Sequence, residues 1–164
     1  MTDYYKYADK IQDKIQDDTF YYDWCKERRE YYVTDRTGTV IYTIPAERWK
    51  LDATKYYTHH IDLKKFWETA EAGVYHLVTS DKMSKVKDTE NKRTLWKLEA
   101  ENKFFPIHNY IDNRLVIGFN IAGKKTKYHV YIAGGSKPVL IYAYEDGAAY
   151  PFENRIAIIF PVIK

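Results

Sequence analysis

The chain carries a single cysteine, Cys25, among its 164 residues. That excludes an internal disulfide framework and any multi-cysteine zinc site, and it fits a reducing compartment. No apolar run approaches the roughly 20 residues of a membrane span. The opening Met1-Thr2-Asp3-Tyr4-Tyr5-Lys6 has neither the apolar core nor the small-residue cleavage site of a signal peptide. The chain therefore reads as cytoplasmic. Neither sign of charge dominates, since 26 Lys and Arg stand against 23 Asp and Glu. The resulting charge of +3 permits an acidic partner but lacks the dense basic stripe of a committed nucleic-acid binder. Phosphate-cradling glycine motifs are missing: Gly134-Gly135-Ser136-Lys137 runs into Pro138, which leaves no helix N-terminus to receive an anion. Hence no cofactor is expected. The pair His59-His60 ahead of Asp62 suggests metal ligands, but adjacent imidazoles diverge and Asp62 reads as a helix cap, so no metal site is expected either. Without repeats, low-complexity tracts or linkers, residues 1–164 are expected to form a single α+β domain.

Tyrosine is what the chain has in excess, at 17 residues. Its rigid ring and polar tip serve interfaces, base stacking or an amphipathic core. The codon bias of a low-GC genome, which also raises Lys, Asn and Ile, accounts for the same excess.

Tyr4, Tyr7, Ala8, Ile11 and Ile15 recur at helical spacing and predict a first helix from Asp3 to about Gln16. Phe20, Trp24, Arg28 and Tyr31 share a helical face, so a second helix is expected after Asp17-Asp18-Thr19, with Lys26, Arg28 and Arg29 at its C-terminal end and Cys25 buried beside Trp24. Residues 31–34 and 39–44 flank Asp35-Arg36-Thr37-Gly38 as a hairpin, and Pro45 opens a short helical turn. Asp62 caps a third helix over Leu63 to Ala72, with Leu63, Phe66, Trp67 and Ala70 inward and Gly73 ending it. Val74 to Thr79 reads as a strand, and the polar stretch Ser80 to Asn91 as a mobile loop. Further strands are expected at 93–99, 104–110, 114–122, 126–133, 139–144 and 155–162. The expected architecture is N-terminal helices packed on one face of a C-terminal antiparallel β-meander. The last two of those strands are apolar on both faces and belong at the sheet centre or in a subunit interface.

The strongest candidate for chemistry is a hairpin of 114–121 with 127–132. Alternation puts Leu115, Ile117, Phe119, Ile121, Tyr128, Val130 and Ile132 on one face, and Arg114, Asn120, Lys127, His129 and Tyr131 on the other. His129, Tyr131, Lys127 and Arg114 supply a base, an acid and cations for a phosphorane, which is what a metal-independent ribonuclease needs. In its order of helices followed by an antiparallel meander, the chain is similar to the barnase, EndoU and RelE group of small RNases. That likeness implies catalysis from one sheet face. Neither His76 nor His108 sits in a recognisable catalytic spacing.

Basic residues interleave with aromatics at Arg93 and Trp96 and at Lys124, Lys125 and Tyr128. With Lys82, Lys85 and Lys87 they form a candidate binding surface, although lysines also guard sheet edges against aggregation. A tyrosine-rich chain of this size without a cofactor motif looks like the accessory proteins of phages and other mobile elements. The leading expectation is a non-enzymatic protein that binds another macromolecule, an anti-CRISPR-like inhibitor of a bacterial defence nuclease. Its partner would be a nucleic-acid-processing enzyme or its complex. The alternatives are the small RNase just described and a nucleotide- or RNA-binding homo-oligomer that assembles through the C-terminal strands.

Overall fold

The computed structural model describes residues 6–15, 20–34, 38–51, 58–60, 62–101, 104–117, 119–122, 128–143 and 154–163. Helix α1 covers Lys6–Ile15, and strands β1 Phe20–Cys25, β2 Glu30–Thr34 and β3 Val40–Pro45 follow. After a single 3-10 turn at Ala46–Arg48 come β4 Thr58–His60, helix α2 Leu63–Glu71 and β5 His76–Val78. Another such turn at Ser80–Lys82 leads into β6 Met83–Asp88, β7 Arg93–Ala100 and β8 Ile107–Asp112. The chain ends with β9 Tyr128–Ile132, β10 Val139–Ala143 and β11 Asn154–Ile159. An eight-stranded sheet has the order β4-β1-β2-β3-β11-β10-β9-β5, and β6-β7-β8 form a second sheet of three. All of these pairings are antiparallel except β1 with β4. The fold is α+β and dominated by strands.

The large sheet is buried on both sides, and the two helices cover opposite faces. This corrects the expectation of helices on one face of a C-terminal meander. Tyr7, Ala8, Ile11 and Ile15 of α1 share a core with Val33, Val40, Ile44, Val130, Ile132, Val139, Ile141 and Ile159, and Leu98, Ala100 and Ile111 of the small sheet join it. Leu63, Trp67 and Ala70 of α2 pack on Tyr32, Ile41, Tyr131, Leu140, Tyr142 and Ile158 from the other side. The period of two along each strand makes this division, for Val139, Ile141 and Ala143 face α1 while Leu140 and Tyr142 face α2. β10 and β11 are therefore central, and each is paired along both edges inside the chain.

Helix α1 is pinned by polar groups as well as by its apolar stripe. The Tyr7 hydroxyl donates to the Thr43 carbonyl at 2.5 Å. Gln12, fully buried, donates to the Arg48 carbonyl at 2.7 Å and accepts from the Lys50 amide at 2.7 Å. For α2 the sequence expectation of a cap at Asp62 holds, since its Oδ1 accepts from the Lys65 amide at 3.1 Å. Asp23 of β1 adds a second cap, accepting from the Lys64 amide at 2.9 Å. Phe66, expected inward, is 47% exposed instead.

Three segments fold otherwise than the pattern predicts. The expected second helix is β1, a four-residue turn and the start of β2. Phe20 and Trp24 fit a period of two as well as one of 3.6, Tyr22 joins them only at period two, and aromatic residues favour the pleated surface. Cys25 is buried there as expected. The expected mobile loop at Ser80 to Asn91 is mostly β6, held to β7 by Met83 opposite Leu98, Val86 opposite Leu95 and an Asp88–Arg93 ion pair at 2.8 Å. Its lysines are those of a polar edge strand. Finally, 114–122 is no strand among the described residues. Asp112 accepts from the Arg114 amide at 2.9 Å and winds Asn113–Leu115 into a 3-10 turn. Turn chemistry overrides alternation here, while Phe119 and Ile121 still reach the core from irregular backbone.

Candidate functional site

β9 pairs with β10 and β5, and among the described residues it forms no hairpin with 114–121. His129 and Tyr131 nonetheless share the α2 face of the large sheet, their rings 6.2 Å apart. Arg114 lies elsewhere, forked on Asp112 with Nη2 2.7 Å from Oδ2, and its backbone carbonyl faces Lys14 of α1. Asn120 turns onto its own loop, accepting from the Ala122 amide at 3.2 Å. Lys127, Lys124 and Lys125 lie outside the described residues. The expected ribonuclease set is thus broken at Arg114.

What the α2 face does assemble is a row of buried polar groups that sequence reasoning missed. Tyr142 lies opposite His129 on one side and opposite Arg155 on the other. Arg155 reaches this face because the β10–β11 register shifts between Ile141 and Tyr142, pairing Ile141 with Ala157 but Tyr142 with Arg155. Ile156 is the extra residue of a β-bulge, and without it strict alternation would put Arg155 on the α1 side. Arg155 Nη1 donates to the Tyr32 hydroxyl at 2.6 Å, and its Nε donates to Glu71 Oε2 at 3.1 Å, with Nη2 paired to Glu71 Oε1. The Tyr142 hydroxyl donates to the same Glu71 carboxylate at 2.8 Å. Tyr32 passes its own proton toward Glu30 at 2.8 Å, and Arg28 holds Glu30 at 2.7 Å. The Trp67 ring stands 5.4 Å from the guanidinium carbon.

The electrostatics of this row follow from its burial. Burial, reinforced by Glu30, drives the Tyr32 hydroxyl far above the ordinary tyrosine range, and burial with Glu71 does the same to Tyr142. Burial works against the charge on Arg155, and its hydrogen bonds to Glu71 and Tyr32, with their charges, outweigh it. His129 is pushed down by burial, toward its neutral form. Phenols held protonated and a cation already paired serve to bind α2 to the sheet. A substrate phosphate would have to displace Glu71.

Of the expected binding residues, Lys82, Lys85, Lys87, Arg93 and Trp96 lie on or beside the β6–β7 hairpin of the small sheet, and Tyr128 opens β9. Lys85 sits over the half-buried Trp96 ring at 5.2 Å, and the indole donates to Asn113 Oδ1 at 2.8 Å. Arg93 is committed to Asp88, and Tyr128 is buried against Phe119 with ring centroids 5.4 Å apart. Lys82 and Lys87 are exposed on the small sheet.

The open concavity lies at the outer edge of β8. A cleft of about 650 Å³ is lined by Phe105, Ile107, His108, Gly134, Val162 and Ile163 among others. Phe105 and Ile163 are 63% and 72% exposed at its rim. Asn109 shapes its wall by donating to the Gly135 carbonyl at 3.0 Å and accepting from the Gly134 amide at 3.1 Å. Gly134 has φ +83°, a left-handed conformation that suits a residue without a Cβ. The Val162 amide donates to the Tyr110 carbonyl at 2.7 Å and forms an antiparallel bridge there. Backbone groups alternate in direction along a strand, so the His108 amide and carbonyl, like those of Tyr110, face away from β7 and into the cleft. A second, smaller hollow of about 350 Å³ lies between Phe66, Val74, Pro138 and Phe160.

No family model, curated protein or solved structure matches this chain. Among the described residues, no helix is long and apolar enough to cross a membrane.

Proposed function

We propose that the chain is a non-enzymatic macromolecule-binding protein that takes an extended segment of a protein partner along β8. The observation that carries this reading is the β8 cleft. Apolar side chains stand exposed at its rim, and backbone hydrogen-bonding groups aim into it where Val162 already pairs in antiparallel fashion. Strand addition of this kind takes affinity from main-chain bonds and specificity from pockets for alternate side chains. Phe105 and Ile163 are the anchors. The chemistry-bearing row is, by contrast, closed under α2 and internally paired. Tyrosine richness and the want of a cofactor motif support a finer reading, an anti-CRISPR-like inhibitor from a phage or mobile element that blocks a nucleic-acid-processing defence enzyme.

The test adds purified chain to RNA-guided nucleases and follows target cleavage. A susceptible nuclease should be inhibited at one-to-one stoichiometry, and Phe105→Asp, which changes a solvent-exposed ring, should abolish inhibition while leaving the fold intact. Inhibition that survives both Phe105→Asp and Ile163→Asp would overturn the assignment of the cleft.

A further inference from the structure

The end of the β1–β2 hairpin carries a feature that the cleft reading does not use. Four aromatic rings are laid against one another there. Tyr31 stacks on Trp49 with centroids 4.1 Å apart and planes 14° apart, and Trp24 lies on Tyr31 at 4.5 Å. Tyr22 continues the series against Trp49 at 6.3 Å. Register explains the assembly, because Trp24 faces Tyr31 directly across the hairpin and Tyr22 shares the face of Trp24. Trp49 is brought over them by the 3-10 turn, whose Ala46 amide donates to the Arg29 carbonyl at 3.0 Å. Tyr22, Tyr31 and Trp49 are half-buried, whereas Trp24, at the end of the series, is 38% exposed.

Most of the charges around this stack are paired. Asp9 is paired with Arg48 and Lys50, Asp13 with Lys50, Glu27 with Lys64 and Glu30 with Arg28. Lys26 and Arg29, both exposed in the turn that joins β1 to β2, have no ion-pair partner among the described residues, and Glu47 is the nearby carboxylate in the same position. Lys26 and Arg29 thus stand exposed and outside any such ion pair beside the exposed end of the aromatic series. Arg29 has φ +52°, where a side chain is disfavoured and glycine or asparagine is the usual occupant. A basic residue thus stands at a position where its backbone is strained.

We propose that this hairpin end binds single-stranded nucleic acid, an unpaired base adding to the stack on Trp24 while Lys26 and Arg29 contact flanking phosphates. Base stacking on a solvent-facing ring beside cations is how single strands are held without sequence readout. The two exposed cations of the turn beside Trp24 favour this ligand over a proline-rich peptide, which an aromatic surface also attracts.

Tryptophan fluorescence titrated with oligouridylate or oligothymidylate of about ten nucleotides tests the proposal. The expected result is saturable quenching that weakens with salt, with the logarithmic slope falling by about 0.7 in Arg29→Gly as one phosphate contact is lost. Trp24→Ala, followed by anisotropy of a labelled oligonucleotide, should weaken binding about tenfold, the loss of one stacked base. Arg29→Gly relieves the turn as it removes the charge, so weaker binding in that variant cannot be ascribed to unfolding. Phe105→Asp should leave oligonucleotide binding unchanged, which separates this surface from the β8 cleft. Absence of saturable binding at low salt, equal affinity in Trp24→Ala, or quenching by polyproline in place of the oligonucleotides would overturn it.

Discussion

Glu71→Gln removes one charge from the pair that fastens α2 to the sheet and changes almost nothing in shape. The glutamine still accepts from one donor, but Arg155, 8% exposed in its side chain, is left as a buried cation without a counter-charge. Breaking a buried pair in this way costs roughly 3 to 5 kcal/mol. Glu71 retains 16% exposure, so water compensates in part and the lower end, about 3 kcal/mol, applies. For a chain of this length that corresponds to a fall in Tm of roughly 6 to 12 °C. Arg155→Met should cost less, about 1 kcal/mol, because it removes the buried charge and leaves a carboxylate that can turn toward solvent. The double variant should then be more stable than the sum of the two losses by about 2 kcal/mol. Urea unfolding followed by tryptophan fluorescence reports this directly, with Trp67 lying on the guanidinium. A loss below about 1 kcal/mol in Glu71→Gln, or strict additivity in the double variant, would refute the claim that the row acts as a fastening.

Three further outcomes follow from the same geometry. Asp62→Ala should destabilise by about 1 kcal/mol through loss of the α2 cap, measured by urea unfolding, with Asp23 limiting the damage. Lys92, at φ +53° in the β6–β7 turn, should stabilise the chain by about 1 kcal/mol when replaced by glycine, read as a higher urea midpoint at unchanged slope. His129 has its folded-state pKa lowered by burial, so the unfolded chain binds the extra proton first. Stability should be fully present above the unfolded value near 6.5 and should decline as pH falls from there toward the folded value. Chemical denaturation at stepped pH should show this decline, and His129→Gln should flatten it.

Several elements were legible because local chemistry and burial agree. Asp62 ahead of Leu63, Trp67 and Ala70 specifies α2, and Gly38 at φ +68° closes the hairpin expected between residues 34 and 39. Val139 to Ala143 is apolar at every position and lies at the sheet centre, buried on both sides. Phe20 to Tyr31 misled because Phe20 and Trp24 satisfy two periods at once, and tertiary partners, β2 across the hairpin and Thr58 to His60 and Lys64 beyond it, decide between them. The α2-face row was invisible for a different reason. Its members come from β2, β10, β11 and α2, and Arg155 faces the others only through a bulge that no local spacing announces. His129 and Tyr131 were placed on one face correctly, but their supposed partner Arg114 was lost to the turn that Asp112 makes.

The central claim is that the chain binds and does not catalyse, and labelled RNA incubated with purified protein in chelator tests it most directly. The account expects intact RNA at every ratio of protein to substrate, for the native chain and for His129→Ala alike. Turnover by the native chain that disappears in His129→Ala would contradict it.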